Sequence, residues 1–254
     1  QFQAGNWYRR RSTTKTNFEK ATCLLQFNAV AQINLNPKSI HALKISLQPT
    51  IDGVLDESLW KNAETAKDFV MFRPGIGTNE PQGKKTEVKV MYDDEAIYFG
   101  AYLYDDPSKI MKQQTTRDDF GQADFFTIVL NPNNDAQNDT QFIIFSSGTQ
   151  ADAIANPSVG EDFSWNAVWE SSAKVTATGW VVEMRIPYRA LRFANVPIQS
   201  WGFNFHRRIQ NENSQHTWNW IDNTKGIWTQ YDGLVEDFKD LKPPTRQHFI
   251  HILL

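Results

Sequence analysis

The chain has a single cysteine, Cys23, among 254 residues. That excludes an intrachain disulfide and any metal site built from paired cysteines. No apolar run approaches the ~18–20 residues that a helix needs to cross a bilayer. Charge of one sign is scarce too: 26 Lys and Arg stand against 29 Asp and Glu, a net of −3. So even a balance gives no overall field to draw in nucleic acid or an anionic membrane. Basic residues do not cluster beyond short runs such as Arg9-Arg10-Arg11 and Arg207-Arg208. There is no P-loop, no GxGxxG after a strand, no GxSxG and no HExxH, so these motifs point to no nucleotide or hydrolase chemistry.

Helical periodicity is equally thin. "DESLWKNAETA" (56–66) predicts one short helix, with Asp56 as N-cap and Leu59, Trp60 and Ala63 on its buried side. "PYRALRF" (187–193) predicts a single turn opened by Pro187.

What the chain has in quantity is aromatic residues, with 9 Trp and 17 Phe, and short alternating runs between polar loops. "TEVKVMY" (86–92) and "AIYFGAYLY" (96–104) read as a hairpin across Asp93-Asp94. "FFTIVL" (125–130) and "TQFIIFS" (140–146) flank the loop "NPNNDAQND". "AKVTAT" and "WVVEMRIP" flank Gly179, and "WGFNFHRRI" (201–209) precedes "TWNWI" (217–221). Many short strands with turn signals between them predict an all-β fold. It is an antiparallel β-sandwich, jelly-roll-like, with one or two short helices. A chain of this length can bury a full core without metals or disulfides.

Both ends differ from this pattern. Residues 1–42 read as a leader, in which the apolar run 21–32 has a basic flank and a small-x-small ending, the parts of a signal peptide. The alternative is a disordered or weakly amphipathic segment. The sandwich is expected over 43–246, and 247–254 reads as a truncated apolar tail.

Certain segments are more particular. They are "IDGVLDESLW" (51–60), "TEVKVMYDDEAIYFGAYLYD" (86–105), "DFFTIVLNPNND" (124–135), "GTQAD" (148–152), "SWNAVW" (164–169), "GWVVEMRIPYRALRF" (179–193) and "QSWGFNFHRRIQNEN" (199–213). In this order the set resembles carbohydrate-binding module family 9. The closest likeness is to the branch at the front of long bacterial surface proteins that continue into a barrel-like C-terminal region. The resemblance implies a β-sandwich and non-catalytic attachment to polysaccharide in the service of carbohydrate catabolism. It also implies export to the periplasm, cell surface or outer membrane, a barrel-like partner region, and structural Ca²⁺. Nucleic acid is not an expected partner.

Saccharide binding needs flat apolar faces for the C–H side of a pyranose and planar polar groups for its hydroxyls. Trp180 and Trp201 share strand faces with apolar residues and are assigned to the core, with Trp60 and Trp169. Trp218 matches the resembled pattern as a structural residue. Trp165, Trp220 and Trp228 are the candidates for stacking; Trp218 and Trp220, two apart, are expected on one face of a strand. Through the resemblance, Phe120 falls near the first stacking tryptophan of the family's sugar site and Trp228 near the second. The family's bracing acid and arginine fall near Thr127 and Ile143, which cannot do that work.

For Ca²⁺, the loop 131–139 offers Asn131, Asn133, Asp135 and Asp139 as hard oxygen donors, the alternative being a solvated turn. Asp118, Asp119 and Asp124, or Gln150 with Asp152, are further acidic groupings. Carboxylate pairs for glycoside hydrolysis would be Glu161 with Asp162, or Glu183 with Glu212, although Glu183 is also placed to pair with Arg185. His206, Arg207 and Arg208 read as a sheet-surface cluster. Two other classes stay open: a docking module that binds no sugar, and the accessory part of a glycoside hydrolase.

Overall fold

The computed structural model describes residues 36–225 and 228–244. The apolar run 21–32 and the tail 247–254 lie outside the described residues. Fifteen strands form two sheets. The early ones are β1 (Ser39–His41), β2 (Leu43–Lys44), β3 (Thr65–Ala66) and β4 (Val70–Arg73), with helix α1 (Ser58–Asn62) before β3. The long hairpins follow. β5 (Thr86–Tyr92) pairs with β6 (Ala96–Tyr104), and β7 (Phe125–Asn131) with β8 (Asp139–Phe145). β9 (Gln150–Asn156) and β10 (Gly160–Asp162) extend that sheet. β11 (Glu170–Thr176) pairs with β12 (Gly179–Pro187), and β13 (Ile198–Ile209) with β14 (Ser214–Thr217); β15 (Gly233–Lys239) closes the series.

The larger sheet runs β1-β15-β13-β7-β8-β9-β10, with β14 and then β4 added beside β13. The smaller runs β11-β12-β6-β5-β2, with β3 also on β5. Period-two alternation explains how they pack. Phe126, Ile128 and Leu130 of β7, Phe142 and Ile144 of β8, and Trp201, Phe203 and Phe205 of β13 all enter one core. They meet Val88 and Val90, Phe99, and Trp180, Val182, Met184 and Ile186 from the smaller sheet. Each such side chain contributes about 1.5–3 kcal/mol by leaving water. Trp180, Trp201 and Trp218 are therefore core residues, as is Trp169.

Four expectations need correction. The sheets are mixed, because β1 runs parallel to β15 and β2 parallel to β5. With only Ala42 between them, β1 and β2 carry the chain from the edge of one sheet to the edge of the other. This places residues 39–42 inside the sandwich, ahead of the expected boundary at 43. The helix begins one residue later than the pattern suggested and stops at Asn62, about a turn short of residue 66. Glu57, not Asp56, holds the N-cap position, and its carboxylate accepts from Thr50 N (3.0 Å) rather than capping. Lastly, β14 ends at Thr217, so Trp218 and Trp220 share no strand face; Trp218 packs on Phe205 and Trp220 on Tyr231.

Two buried acids fix loops onto the sandwich. Glu183 accepts from the backbone N–H groups of Asp52 (2.9 Å) and Gly53 (2.8 Å) and from Trp60 Nε1 (3.2 Å). Burial pushes its carboxyl up, and those backbone donors pull it back. Gly53, at φ +85°, allows this approach; a Cβ there would meet Ser172 Oγ at 3.0 Å. Asp152, fully buried, accepts from Trp169 Nε1 (2.8 Å) and Ala167 N (3.1 Å) and pairs with Arg117. The segments "IDGVLDESLW", "GTQAD" and "SWNAVW" thus share a physical role: each carries one side of a buried carboxylate clamp.

Candidate saccharide-binding cleft

The outer face of the larger sheet carries a cleft of about 410 Å³. The residues that alternate away from the core make its floor: Phe125 and Thr127 of β7, Gln141 and Ile143 of β8, His206 and Arg208 of β13, and Gln215 of β14. Arg73 of β4 and Glu161 of β10 lie toward its two ends in strand order. Phe120 and Trp228 both line it. Two of the four aromatic residues proposed for stacking, far apart in sequence, are thus brought to one site.

The Phe120 ring is held from behind, and the backbone that carries Trp228 is anchored. Phe120 remains 41% exposed, yet packs edge-on against Phe125 (5.7 Å), Phe145 (5.2 Å) and Phe163 (5.2 Å). Trp228, half-buried, opens a turn in which Tyr231 N bonds Trp228 O at 2.9 Å. Thr229 Oγ1 donates to Ala136 O (2.7 Å) and ties that turn to the 131–139 loop. A ring braced as Phe120 is loses little freedom when a ligand stacks on it.

The polar lining is chiefly neutral amide and guanidinium. Gln141, Gln210, Gln215 and Asn213 offer both donors and acceptors. Arg208 donates from Nε to Gln210 Oε1 (2.9 Å) and from Nη2 to Asn213 Oδ1. Arg73 lies over the Phe72 ring at 4.7 Å. Burial, with the charge of Arg73 nearby, draws His206 down to about 3, so the imidazole is neutral; its Nδ1 is 3.3 Å from Gln215 Nε2. Arg207, between them in sequence, points the other way. It is fully buried and reaches Asp105 Oδ2 (3.0 Å), Tyr104 O (2.8 Å) and Lys84 O (2.6 Å). The expected surface cluster is therefore a split row: two residues outward, one bridging the sheets.

The other proposed residues lie elsewhere. Trp165 sits edge-on to Phe142 (6.0 Å) and lines a second, open depression of about 920 Å³ with Asn131, Asn133, Asp135, Arg189 and Arg192. Trp220 is half-buried against Tyr231 (5.6 Å) and lines neither depression. Among the carboxylates, Glu212 pairs with Lys84 (2.6 Å), and Arg185 pairs with Glu95 and Glu170 rather than with Glu183. Glu183 belongs to the smaller sheet and Glu212 follows β13 of the larger, so they are no catalytic pair. Glu161 is the one carboxylate lining the cleft. Asp124 and Asp152 are likewise structural: Asp124 accepts from Gln210 N (3.1 Å), and burial pushes it up to about 6.

The 131–139 loop has a buried underside. Asp139 is 2% exposed and its Oδ1 has no partner; Asp232 Oδ2 is also buried and unpartnered. Burial pushes both carboxyls up, Asp139 to about 7, and each is raised further by a neighbouring acid. Asn131 Nδ2 donates to Asp135 Oδ1 (3.2 Å). A Cβ on Gly202 would meet Asn134 Oδ1 and Asp232 Oδ2 at 3.0 Å each, so oxygens from two distant segments converge over that glycine. No group of three or more acidic, His or Cys side chains converges as a metal cage among the described residues. The arrangement is instead two buried carboxylates with side-chain amides, an oxygen-rich donor set suited to Ca²⁺. Asn131, Asp135 and Asp139 of the proposed ligands meet there; Asn133 lies exposed on the rim of the open depression.

The sequence carried a usable signal for His206 and Arg208, which alternate outward against Phe203 and Phe205. It carried none for Arg73, which reaches its site by pairing with Gln215 in another strand far along the chain, or for Asp232, which arrives over Gly202 from a separate segment.

Residues 51–232 match the family described as carbohydrate family 9 binding domain-like. A search of curated proteins finds no match. Among solved structures, the chain is similar to a family 9 carbohydrate binding module from Caldicellulosiruptor kristjanssonii in complex with glucose. That likeness has a TM-score of 0.57 and 18% identity, covering 83% of this chain and 99% of the other. The same module in complex with cellotriose gives a TM-score of 0.58 at 18% identity, with coverage of 85% and 99%. A protein of Bacteroides uniformis gives 0.64 at 11% identity, with coverage of 79% and 99%.

Proposed function

The chain belongs to the carbohydrate family 9 binding domain-like family, and we propose that it holds polysaccharide in the Phe120–Trp228 cleft. Domains of this family are non-catalytic, and the module binds without breaking bonds. The observation that carries the assignment to this cleft is the arrival of two aromatic rings, one of them braced from behind, at one amide-lined site. The solved relatives hold glucose and cellotriose. Stacking on Phe120 and Trp228 would take the C–H face of a pyranose, and Gln141, Gln210 and Gln215 its hydroxyls. The departures at Thr127 and Ile143 mean that the polar work on a neutral sugar falls to other residues, these glutamines first.

The wider setting belongs to the same proposal. The module serves carbohydrate catabolism in an exported protein of the periplasm, cell surface or outer membrane, ahead of a barrel-like partner region. The basic-flanked apolar run 21–32 supports export. Ca²⁺ is proposed as a structural ion over Gly202, held by Asp139 and Asp232 with Asn131, Asn134 and Asp135. Two buried carboxylates without a counter-charge support this, since a divalent cation supplies the missing charge.

A glycan array and affinity gels, run with Ca²⁺ and with EDTA, test the assignment. Retention of a polysaccharide by the wild-type chain, lost in Trp228→Ala, is the expected result. Failure of the folded protein to retain any glycan in Ca²⁺ would replace it with a docking module.

A further inference from the structure

The cleft is electrically lopsided. Arg208 comes from β13 and Arg73 from β4, the last strand beyond β13 and β14. Glu161 comes from β10, four positions from β13 on the other side. Among the described residues neither arginine has a carboxylate partner, whereas Arg117, Arg185 and Arg207 all do. The Arg73 guanidinium lies over the Phe72 ring, and Arg208 spends two of its donors on neutral amide oxygens. The two guanidiniums are close enough that Arg73 lowers the proton affinity of Arg208 and of His206. His206 is neutral and Gln215 uncharged; the acid that acts on Arg208 is Asp124, buried beneath it and pushed up by that burial, so two guanidiniums face the cleft here with no carboxylate lining it beside them.

Keeping like charges together on one face costs free energy unless a ligand uses them. A planar fork with free N–H donors suits a carboxylate or sulfate, which it can grip through two parallel bonds. A neutral pyranose would leave that charge unanswered, while the amides and rings in the rest of the cleft suit one well.

We infer that the cleft selects an acidic saccharide, seating its uronate carboxylate or sulfate ester between Arg73 and Arg208 while Phe120 and Trp228 stack on the rings. This rests on the cleft being the saccharide site, and deepens that reading by naming the ligand's charge. Glu161 at the far end would repel the same group, so the ligand enters in one direction.

The test is calorimetric titration of the full chain with three trisaccharides: one of glucuronic acid units, its neutral glucose counterpart, and a 6-sulfated glucose oligomer. Arg73→Gln and Arg208→Lys are measured beside the wild type, with thermal melts to show that each is folded. Tighter binding of either acidic ligand is expected, weakening as NaCl rises from about 0.02 to 0.5 M as screening requires. Which of the two binds identifies the anion. Arg73→Gln should weaken the acidic ligand about tenfold or more and leave the neutral one unchanged. Arg208→Lys, which keeps the charge but loses the fork, should weaken it less. Equal or tighter binding of the neutral trisaccharide, indifferent to Arg73→Gln, overturns this inference while leaving the saccharide site standing. Binding of none of the three, with Trp228→Ala also without effect on the array, overturns both.

Discussion

His206 is held neutral by burial and by the charge of Arg73, with its affinity for protons drawn down to about 3. An unfolded chain protonates the same ring below ~6.5. Between those values the unfolded state binds the proton and the folded state refuses it. Stability is therefore present above ~6.5 and lost as pH falls, by up to about 1.4 kcal/mol per pH unit. His216, drawn down to about 4 by burial, acts in the same sense. Asp124, raised to about 6, acts in the opposite one below that pH, so the wild-type curve is a sum. Replacing His206 by Gln isolates the term. Urea unfolding at pH 7 and pH 5 should show a smaller loss in the variant than in wild type, and parallel losses would contradict this account of His206. The outward row Asn204, His206, Arg208 could be read from period-two alternation. That Arg207 reaches through the sandwich to Asp105 could not, because alternation gives direction and not the partner waiting there.

At the scale of elements, two loops of the sandwich are held by particular buried acids, Glu183 and Asp152. Glu183 on β12 gathers the 52–54 backbone and the Trp60 indole, and so docks α1 on the outside of the smaller sheet. Glu183→Gln keeps the shape but presents an amide to donors that need an acceptor. It should cost about 2–4 kcal/mol, read from the urea midpoint at unchanged m value. A loss under about 0.5 kcal/mol would mean that the loop is held by packing alone. Three hairpins were legible because their strands alternate and their turns carry Asp, Asn and Gly; the fourth was read with its second strand at 217–221, where β14 is Ser214–Thr217. The parallel additions β1 and β2 were not, since two- and three-residue strands carry no period. The same limit explains the misplaced Trp220. Strand alternation was extended past Thr217, where the chain had already left the sheet.

For the whole molecule, the two faces of the larger sheet divide the labour. Its inner face supplies the core, and its outer face supplies the cleft. The oxygen cluster over Gly202 joins the 131–139 loop to Asp232, which lies four residues after Trp228. Ca²⁺ there should raise the melting temperature, with stabilisation of about 2.7 kcal/mol when its concentration is a hundred times Kd. EDTA should reverse the shift, and Asp232→Asn should abolish it; a melt indifferent to Ca²⁺ would remove the ion from the proposal. The central claim concerns the cleft, and one comparison addresses it most directly. Binding of a retained oligosaccharide is measured by calorimetry for Phe120→Ala, Trp228→Ala and Trp165→Ala, the last lining the other depression. Loss of affinity of about tenfold or more is predicted for the first two, with Trp165→Ala unchanged. Loss confined to Trp165→Ala would contradict the account and move the site to the far depression.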